Sequence, residues 1–467
     1  MKIVSFKEGF LAVILGMIFP LLIIAYLHFH GLSYLSGGEP SKYLKTVPEL
    51  LNHGRFFYNY KGEIQPDLIR LVGYPFFITL IYKLFGVDNY LSVLIAQSIL
   101  TGFGVLFLAL SARILNQNWF WPTVFIAALW PNMAYQASII MPETLFILFI
   151  CMSIFFFLYS VHSNYFILLF VMGSVFMGLS LTVRPAGLLF PFTTFPFLCY
   201  LVYEKCSRSI FKSIMVSSLS LAIVGLILLP SVIRFHYYTG KYALTSQTGH
   251  HLLDFVYPCL AQSWGCGNAN PLVRQQVKLL IQEKIQSLPD NEKNNVGIIN
   301  QIQTRLAFQL ISELPLKQLI KASVGSSVKM MFHTSFLKFI ERHEIVPAHF
   351  SLIQANSFKE KVIKFMQIIM GNPWMQVWFV FQSLLIVSRI VQMIGLFSAI
   401  KTSTLRPAML WLLIGAISFV VISVGIGNQR YRVPAEPFLV LATVIGIDTI
   451  RHWFSRKKIH KIELSHV

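Results

Sequence analysis

Residues Gly37–Pro75 have the sequence GGEPSKYLKTVPELLNHGRFFYNYKGEIQPDLIRLVGYP, a polar, acid-bearing segment in a chain that is mostly apolar. The apolar run before it, Phe10–His28, is long enough to cross a bilayer and is preceded by Lys2 and Lys7. Because this run lacks a small-residue cleavage site, we interpret it as an uncleaved anchor rather than a signal peptide. With its basic flank in the cytoplasm, Gly37–Pro75 is expected to lie at the extracytoplasmic face.

Apolar residues dominate the rest of the chain as well. Of its 467 residues, 55% are hydrophobic and only 12% are charged, and the mean hydropathy is +0.64. Soluble domains carry about 25% charged residues, so this composition predicts an all-α polytopic membrane protein. About ten apolar runs are candidate transmembrane helices: Phe10–His28, Tyr90–Leu110, Phe120–Tyr135, Thr144–Ser160, Tyr165–Leu181, Leu188–Tyr203, Met215–Ile233, Trp374–Ile400, Leu410–Ile426 and Phe438–Ile450.

The formal net charge of +19 suggests either nucleic acid or the membrane itself as a partner. The basic residues cap the ends of apolar runs and do not cluster on one motif-bearing segment. This distribution favours positive-inside anchoring, so no nucleic-acid partner is predicted. If the spans alternate in direction, the basic stretches on the cytoplasmic side are Arg113, Glu204–Lys212, Lys401 with Arg406, and Arg451–Lys461.

The same alternation predicts three parts in the chain. They are an N-terminal transmembrane core (1–233) with a catalytic first outer loop (31–89), an extracytoplasmic region with helices (234–373), and C-terminal transmembrane helices with a basic cytoplasmic tail (374–467). Gly73–Phe85 is apolar but too short to span comfortably, which predicts an interfacial helix. We find no internal repeat, which weakens a transporter built from inverted halves.

Five arginines are expected on the extracytoplasmic face, where the positive-inside rule predicts few. A guanidinium group is always charged and binds phosphate oxygens through two hydrogen bonds, which suits a lipid phosphate at a membrane surface. The alternative for each of them is snorkelling to the interface. These residues are Arg70, Arg184, Arg234, Arg430 and Arg432.

Acidic residues on the same face suggest a reaction. Transfer of a sugar from a lipid phosphate needs a carboxylate to take the acceptor's proton and cations to stabilise the leaving phosphate. Glu39, just past the first span, is the candidate base, and its alternative is an ordinary solvated acid. Glu143 opens a span, where helix capping or salt bridging competes with a catalytic role. Asp67 and Glu63 are most simply interpreted as solvated.

Other polar groups give weaker signals. Arg389 lies within an apolar run, and an intramembrane charge is a functional candidate, although a span that begins later explains it nearly as well. His250 and His251 lack a defined third ligand, so no metal site is predicted. Cys259 and Cys266 could form a disulfide if their loop is extracytoplasmic.

Six short motifs, taken in order, resemble the bacterial branch of the GT-C glycosyltransferases, relatives of protein O-mannosyltransferases and of the lipid A aminoarabinose transferase. The motifs are Glu39 with Tyr43 and Leu50–Gly54, then Arg70–Pro75, Glu143–Phe146, Val183–Pro185, Ile233–Gly240 and Arg430–Pro434. Two departures stand out. The family usually has aspartate where this chain has Glu39, and Val72 replaces the first proline of the family's Arg-x-Pro-Gly-Tyr-Pro.

The resemblance implies a GT-C type fold in the cytoplasmic membrane, with the active site on the extracytoplasmic side. It implies a polyprenyl-phosphate sugar as donor, a lipid, glycan or protein as acceptor, and inversion at the anomeric carbon. Glu39 would activate the acceptor and Glu143 would support it. The residues expected to bind substrate are Tyr43, Arg70, Tyr74, Arg184, Arg234, Arg430, Tyr431 and Arg432. No cofactor is predicted, although a divalent metal stays open.

Two other functions stay open at this point. A flippase or transporter of lipid-linked saccharides would place polar residues along a transmembrane path, whereas here they gather at one face, with Arg389 as the main exception. An oligosaccharide ligase would use the same face and the same arginines but a lipid-diphosphate donor.

Overall fold

The computed structural model describes residues 4–35, 38–205, 208–262, 271–334, 336, 339–340, 357–401, 406–421 and 426–464, and within 38–40 and 456–464 it describes the backbone alone. Helices make up most of these residues. In the first half they are α1 (Phe6–Phe29), α2 (Gly38–Leu44), α3 (Val47–His53), α4 (Gly73–Phe85), α5 (Tyr90–Leu115), α6 (Phe120–Ala128), α7 (Pro131–Ala137), α8 (Glu143–Val161), α9 (Phe166–Val183) and α10 (Phe190–Lys205).

The second half continues the helical architecture. Its helices are α11 (Ile210–Thr239), α12 (Gln247–His251), α13 (Tyr257–Leu260), α14 (Pro271–Gln286), α15 (Val296–Ser312), α16 (Leu316–Phe332), α17 (Phe358–Gly371), α18 (Pro373–Lys401), α19 (Arg406–Val421) and α20 (Glu436–Leu464). Short 3₁₀ turns cover Gln117–Trp119, Pro185–Gly187 and Gln429–Ala435, and a π turn covers Leu252–Val256. An antiparallel hairpin, β1 (Phe57–Tyr60) and β2 (Glu63–Pro66), interrupts the first polar loop, with Phe57 opposite Pro66.

The predicted all-α polytopic fold is confirmed. Within the described ranges, eight helical segments are long and apolar enough to cross a membrane, and α4 and α19 are shorter apolar helices. One predicted span, Phe120–Tyr135, is wrong as a single helix, because the chain breaks between α6 and α7. Pro131 begins α7, since a proline lacks the amide hydrogen that continues a helix and therefore suits a first helical position.

Long helices of this bundle pack closely where glycines face each other. The main apolar cluster joins α5, α8, α9 and α20 and includes the fully buried Val105, Ile154, Phe170 and Val440. Between α18 and α20, a Cβ atom on Gly446 would lie 2.0 Å from the Val391 carbonyl oxygen. Small residues at such contacts let helix backbones approach, which is how transmembrane helices gain packing energy.

The α18–α20 contact provides a stability prediction. Gly446→Ala is expected to lower the free energy of unfolding by about 1–3 kcal/mol, because the added methyl group cannot fit without moving a backbone. The matched control is Gly225→Ala in α11, where an added Cβ meets nothing within 4 Å and should be neutral. The midpoint of thermal unfolding in detergent measures both. Equal midpoints for the two variants would contradict the close approach.

Candidate functional site

Asp67 organises the first polar loop. Its Oδ1 accepts hydrogen bonds from the backbone N–H groups of Ile69 (2.9 Å) and Arg70 (3.0 Å), and its Oδ2 lies 3.7 Å from Lys45 Nζ. The carboxylate is fully buried, so the prediction that Asp67 is solvated is wrong. The reason is local, because an aspartate that accepts from amides two and three residues onward stabilises a tight turn. Glu63, in β2, is exposed as predicted.

Arg234 ties the end of α11 to this loop. Its guanidinium donates to the carbonyl oxygens of Phe56 (3.2 Å) and Asp67 (2.7 Å) and lies over the Phe56 ring at 4.5 Å. Ser246 adds a second tie, since its amide and hydroxyl both donate to the Leu68 carbonyl, at 2.8 and 3.2 Å. Arg234 therefore holds the loop backbone.

Three side chains of the loop are docked onto the bundle. Arg70 donates to the Tyr43 hydroxyl (3.2 Å) and lies over its ring, and Tyr43 packs edge-on against Tyr74 with ring centres 5.3 Å apart. The Tyr74 hydroxyl donates to Gln97 Oε1 in α5 at 2.6 Å. Gln97 Nε2 in turn donates to the Ile139 carbonyl oxygen (2.7 Å), just ahead of α8. Arg70, Tyr43 and Tyr74 are thus brought together beside the start of α8.

Glu143, the first residue of α8, is the centre of an ion-paired cluster that we call the Glu143 centre. Its carboxylate is fully buried, and its Oε1 accepts from Arg184 Nη1 (2.8 Å) and from Arg430 Nε. Arg184 follows α9, and Arg430 lies in the turn ahead of α20, so chain segments far apart in sequence meet at one oxygen. Glu143 Oε2 has no hydrogen-bond partner in the part of the chain that is described.

Glu436, at the start of α20, is a second buried carboxylate, and it was not predicted as a site residue from the sequence. It accepts from Trp130 Nε1, Asn132 Nδ2 and Arg432 Nε, each at 2.7 Å, and Arg389 Nη2 lies 3.9 Å away. The spacing of Arg432 and Glu436, one helical turn apart, was the available signal. We call this cluster the Glu436 centre.

The two arginines of the Glu436 centre cap α16. Arg432 donates to the carbonyl oxygens of Met330 and Met331, the second at 2.6 Å, and Arg389 Nε donates to Met331 at 3.0 Å. Gln382 donates to the next carbonyl along. Cations are favoured at a helix C-terminus, where the last carbonyls lack partners. Arg432 is fully buried and Arg389 is 5% exposed, so both are structural parts of the interior.

His251, at the end of α12, borders the Glu143 centre. Its ring lies 5.5 Å from the ring of Tyr431, and burial together with the charges of Arg184 and His250 lowers its pKa from 6.5 to about 4. His250 pairs with Asp254 (2.5 Å). Within the described ranges, no three His, Cys, Asp or Glu side chains form a group that could hold a metal ion.

The lowered pKa of His251 predicts a pH-dependent stability. The unfolded chain protonates this ring near pH 6.5 but the folded chain only near pH 4, so stability is full above 6.5 and falls as the pH drops towards 4. At pH 5 the loss is about 2 kcal/mol relative to pH 7.5. Unfolding midpoints at the two pH values should differ less in His251→Gln, whereas the exposed control His53→Gln should behave as wild type. An unchanged pH dependence in His251→Gln would contradict the assignment.

Two sequence predictions fall partly outside the described residues. The backbone of Glu39 lies in α2, which packs against α3 and α4, but its side chain is not among those described. Cys259 is buried and disulfide-bonded, whereas Cys266 lies outside the described residues, so their pairing stays a prediction.

Comparisons with known proteins show which family and which structures this chain is similar to. A family model described as dolichyl-phosphate-mannose-protein mannosyltransferase matches residues 71–233. The structure is similar to the archaeal oligosaccharyltransferase AglB from Archaeoglobus fulgidus in complex with an inhibitory peptide and a dolichol-phosphate, with a TM-score of 0.52 and 11% identity over 99% of this chain and 52% of that one. The chain thus spans about half the length of that protein.

Two further structures are similar. The same archaeal enzyme in complex with Zn and sulfate gives a TM-score of 0.53 at 13% identity, covering 98% of this chain and 51% of that one. ArnT from Cupriavidus metallidurans bound to undecaprenyl phosphate gives 0.40 at 14% identity, covering 94% and 77%, so the shared fold is argued from the archaeal enzyme alone. A comparison with curated proteins finds no match. The family-model match over residues 71–233 and the fold shared with the archaeal enzyme support the predicted resemblance to the GT-C membrane glycosyltransferases.

Proposed function

We propose that this protein transfers a sugar from a polyprenyl-phosphate donor to a lipid, glycan or protein acceptor. The acceptor's hydroxyl or amine attacks the anomeric carbon as its bond to the phosphate oxygen breaks, which inverts the configuration and releases polyprenyl phosphate. The acceptor's proton passes to a carboxylate, for which Glu39 is the candidate. The positive-inside distribution supports an extracytoplasmic site in the cytoplasmic membrane.

The observation that carries this proposal is the Glu143 centre. Two guanidinium groups, from Arg184 and Arg430, converge on one carboxylate oxygen at the start of α8, and Tyr74 is docked through Gln97 onto Ile139 just ahead of that helix. Negative charge grows on the phosphate as the sugar leaves, and fixed cations in a water-poor site stabilise that charge. Arg184 and Arg430 are therefore the proposed phosphate-binding pair, and Glu143 is the residue that positions them.

Contacts within the chain argue for different roles for two other predicted phosphate ligands. Arg234 donates to two loop carbonyls, and Arg432 donates to Glu436 and to the last carbonyls of α16. We propose that both are positioning residues. Arg70 and Tyr43 form the loop side of the donor site, and Tyr431, against His251, lies at its rim.

Relatives support a lipid phosphate and raise the question of a metal. The archaeal oligosaccharyltransferase has been seen with a dolichol-phosphate and, separately, with Zn and sulfate. In this chain Glu143 and Glu436 each face two arginine side chains, which would repel a divalent cation. These residues do not fit a metal, so we derive no step through one.

Binding of the product tests the proposed phosphate site. Arg184→Ala is expected to weaken polyprenyl phosphate binding about 10–100-fold, because a charge-assisted hydrogen bond contributes about 1.5–3 kcal/mol. Native mass spectrometry of the purified protein with polyprenyl phosphate measures this, with the exposed Arg451→Ala in α20 as the matched control. Arg184→Lys should fall between them, because it keeps the charge but loses the fork geometry.

Equal affinities in wild type and Arg184→Ala would contradict the proposed phosphate site. A tenfold or greater preference for polyprenyl diphosphate over polyprenyl phosphate would instead favour the ligase.

A further inference from the structure

Helix α16 has one face buried in the protein and an opposite face that exposes apolar side chains. Its buried residues are spaced four apart: Ala322, Ser326 and Met330. The opposite side exposes an apolar residue at every fourth position, with the exposed Lys317 and Lys321 among them: Leu316 (72% exposed), Ile320 (55%), Val324 (55%), Val328 (51%) and Phe332 (38%). A residue every four positions traces a stripe along one side of a helix.

Helix α17 also exposes apolar side chains. Ile369 packs into a cluster that contains Trp374 and Trp378 of α18. Exposed apolar side chains surround this contact on the same half of the helix: Phe358 (78%), Val362 (37%), Ile363 (48%), Met366 (41%) and Met370 (69%). Both helices thus expose several apolar side chains, which monomeric soluble surfaces rarely do on this scale.

Helix α18 contacts both α16 and α17, and its first half also exposes apolar side chains. Arg389 lies within 3.9 Å of Glu436, the first residue of α20, yet it is sixteen residues from the start of α18, about 24 Å along the helix. This part of α18 therefore extends well past the start of α20. It exposes Val380 (54%), Leu384 (59%) and Val387 (55%), and α18 is itself a candidate membrane span.

We infer that α16, α17 and the first half of α18 form an apolar wall that contacts the acyl chains of the bilayer. The charge pattern favours lipid over a protein partner. Helix α16 contains no acidic residue, and the one acid of α17, Glu360, is paired with Lys364 at 2.7 Å. Lysines beside apolar stripes suit anionic headgroups at the interface. Those on the two helices are Lys317, Lys321, Lys329, Lys359, Lys361 and Lys364.

This assignment changes the expected geometry of the 234–373 region. Alternation of the predicted spans places that region outside the membrane, whereas the wall would bring its last helices into the membrane beside the Glu436 centre. The capping of α16 by Arg389 and Arg432 fits such a position, because carbonyl groups at a helix end need partners where water is scarce. The Glu436 centre would then lie deeper in the membrane than the outer edge of the wall.

Site-directed spin labelling in liposomes that contain anionic lipid tests the wall. Single cysteines at Val324, Val328, Ile363 and Met366, in a background lacking Cys151, Cys199 and Cys206, receive a nitroxide. Collision with oxygen, which concentrates in acyl chains, should exceed collision with a water-soluble nickel chelate at all four positions. Ile390 (59% exposed), on the second half of α18, is the lipid-facing reference, and the exposed Glu283 on α14 is the expected water-facing one.

Nickel collisions that match those at Glu283 would overturn the inference. Inaccessibility to both reagents would also overturn it and would indicate a protein partner on these faces. The four positions that receive the label are exposed, and Ile320 and Met370 offer second positions on α16 and α17 if a variant does not fold.

Discussion

Glu39→Gln is expected to lower the rate of sugar transfer by about 10²–10⁴-fold, the usual contribution of a positioned general base. Glutamine has nearly the same shape as glutamate, but its amide cannot take the acceptor's proton at neutral pH. Binding of polyprenyl phosphate should change little, because the proposed phosphate ligands are Arg184 and Arg430. Transfer of a radioactive sugar from its polyprenyl phosphate, in proteoliposomes supplied with a membrane extract as acceptor source, measures the effect.

Two further variants sharpen this expectation. Glu63→Gln removes the charge of an exposed acid in β2 of the same loop and should retain full activity. Glu39→Asp should retain part of the activity, because it keeps the carboxylate that the related enzymes usually have at this position. Equal activity in wild type and Glu39→Gln would remove Glu39 from the mechanism and leave the phosphate site to be judged by its own binding test.

Glu436→Ala is expected to lower the free energy of unfolding by about 3–5 kcal/mol. The substitution leaves the guanidinium groups of Arg389 and Arg432 buried without their carboxylate, and an uncompensated buried charge is strongly destabilising. It also removes the acceptor for Trp130 and Asn132. The midpoint of thermal unfolding in detergent provides the measurement.

The controls for Glu436 separate charge from packing. Glu63→Ala, in the exposed hairpin, should leave the midpoint within the error of wild type. Adding Arg389→Gln to Glu436→Gln restores the charge balance, so the double variant should be more stable than the sum of the two single losses predicts. A wild-type midpoint in Glu436→Ala would show that the Glu436 centre does not hold the bundle together.

Features that depend on local sequence were predictable. The lengths of the apolar runs predicted the spans. The bounds of α4 coincide with the predicted Gly73–Phe85, because hydropathy and turn residues act over short distances. Alternation of the spans predicted Glu143, Arg184 and Arg430 on one face, and the structure adds that their side chains pair. The predicted single span Phe120–Tyr135 was wrong because a proline divides this apolar run into two helices.

Roles that depend on tertiary pairing were not predictable. From the sequence alone, Asp67 is interpreted as a solvated loop acid. Only the structure reveals the turn that it stabilises. Arg234 and Arg432 each look like a phosphate ligand in sequence, and only the folded chain provides the carbonyl oxygens that they bind. Glu436 is separated from Trp130 by 306 positions, so no local pattern could reveal their hydrogen bond.

The most direct test of glycosyl transfer tracks the sugar and the phosphate of the donor separately. A polyprenyl-phosphate sugar with one radioactive label in the sugar and another in the phosphate is incorporated into proteoliposomes with a membrane extract. Wild type should move the sugar label to an acceptor while labelled polyprenyl phosphate accumulates in equal amount, and Glu39→Gln should do neither at a comparable rate. Donor that reaches the opposite leaflet intact, with both labels still joined, would contradict glycosyl transfer and identify a flippase.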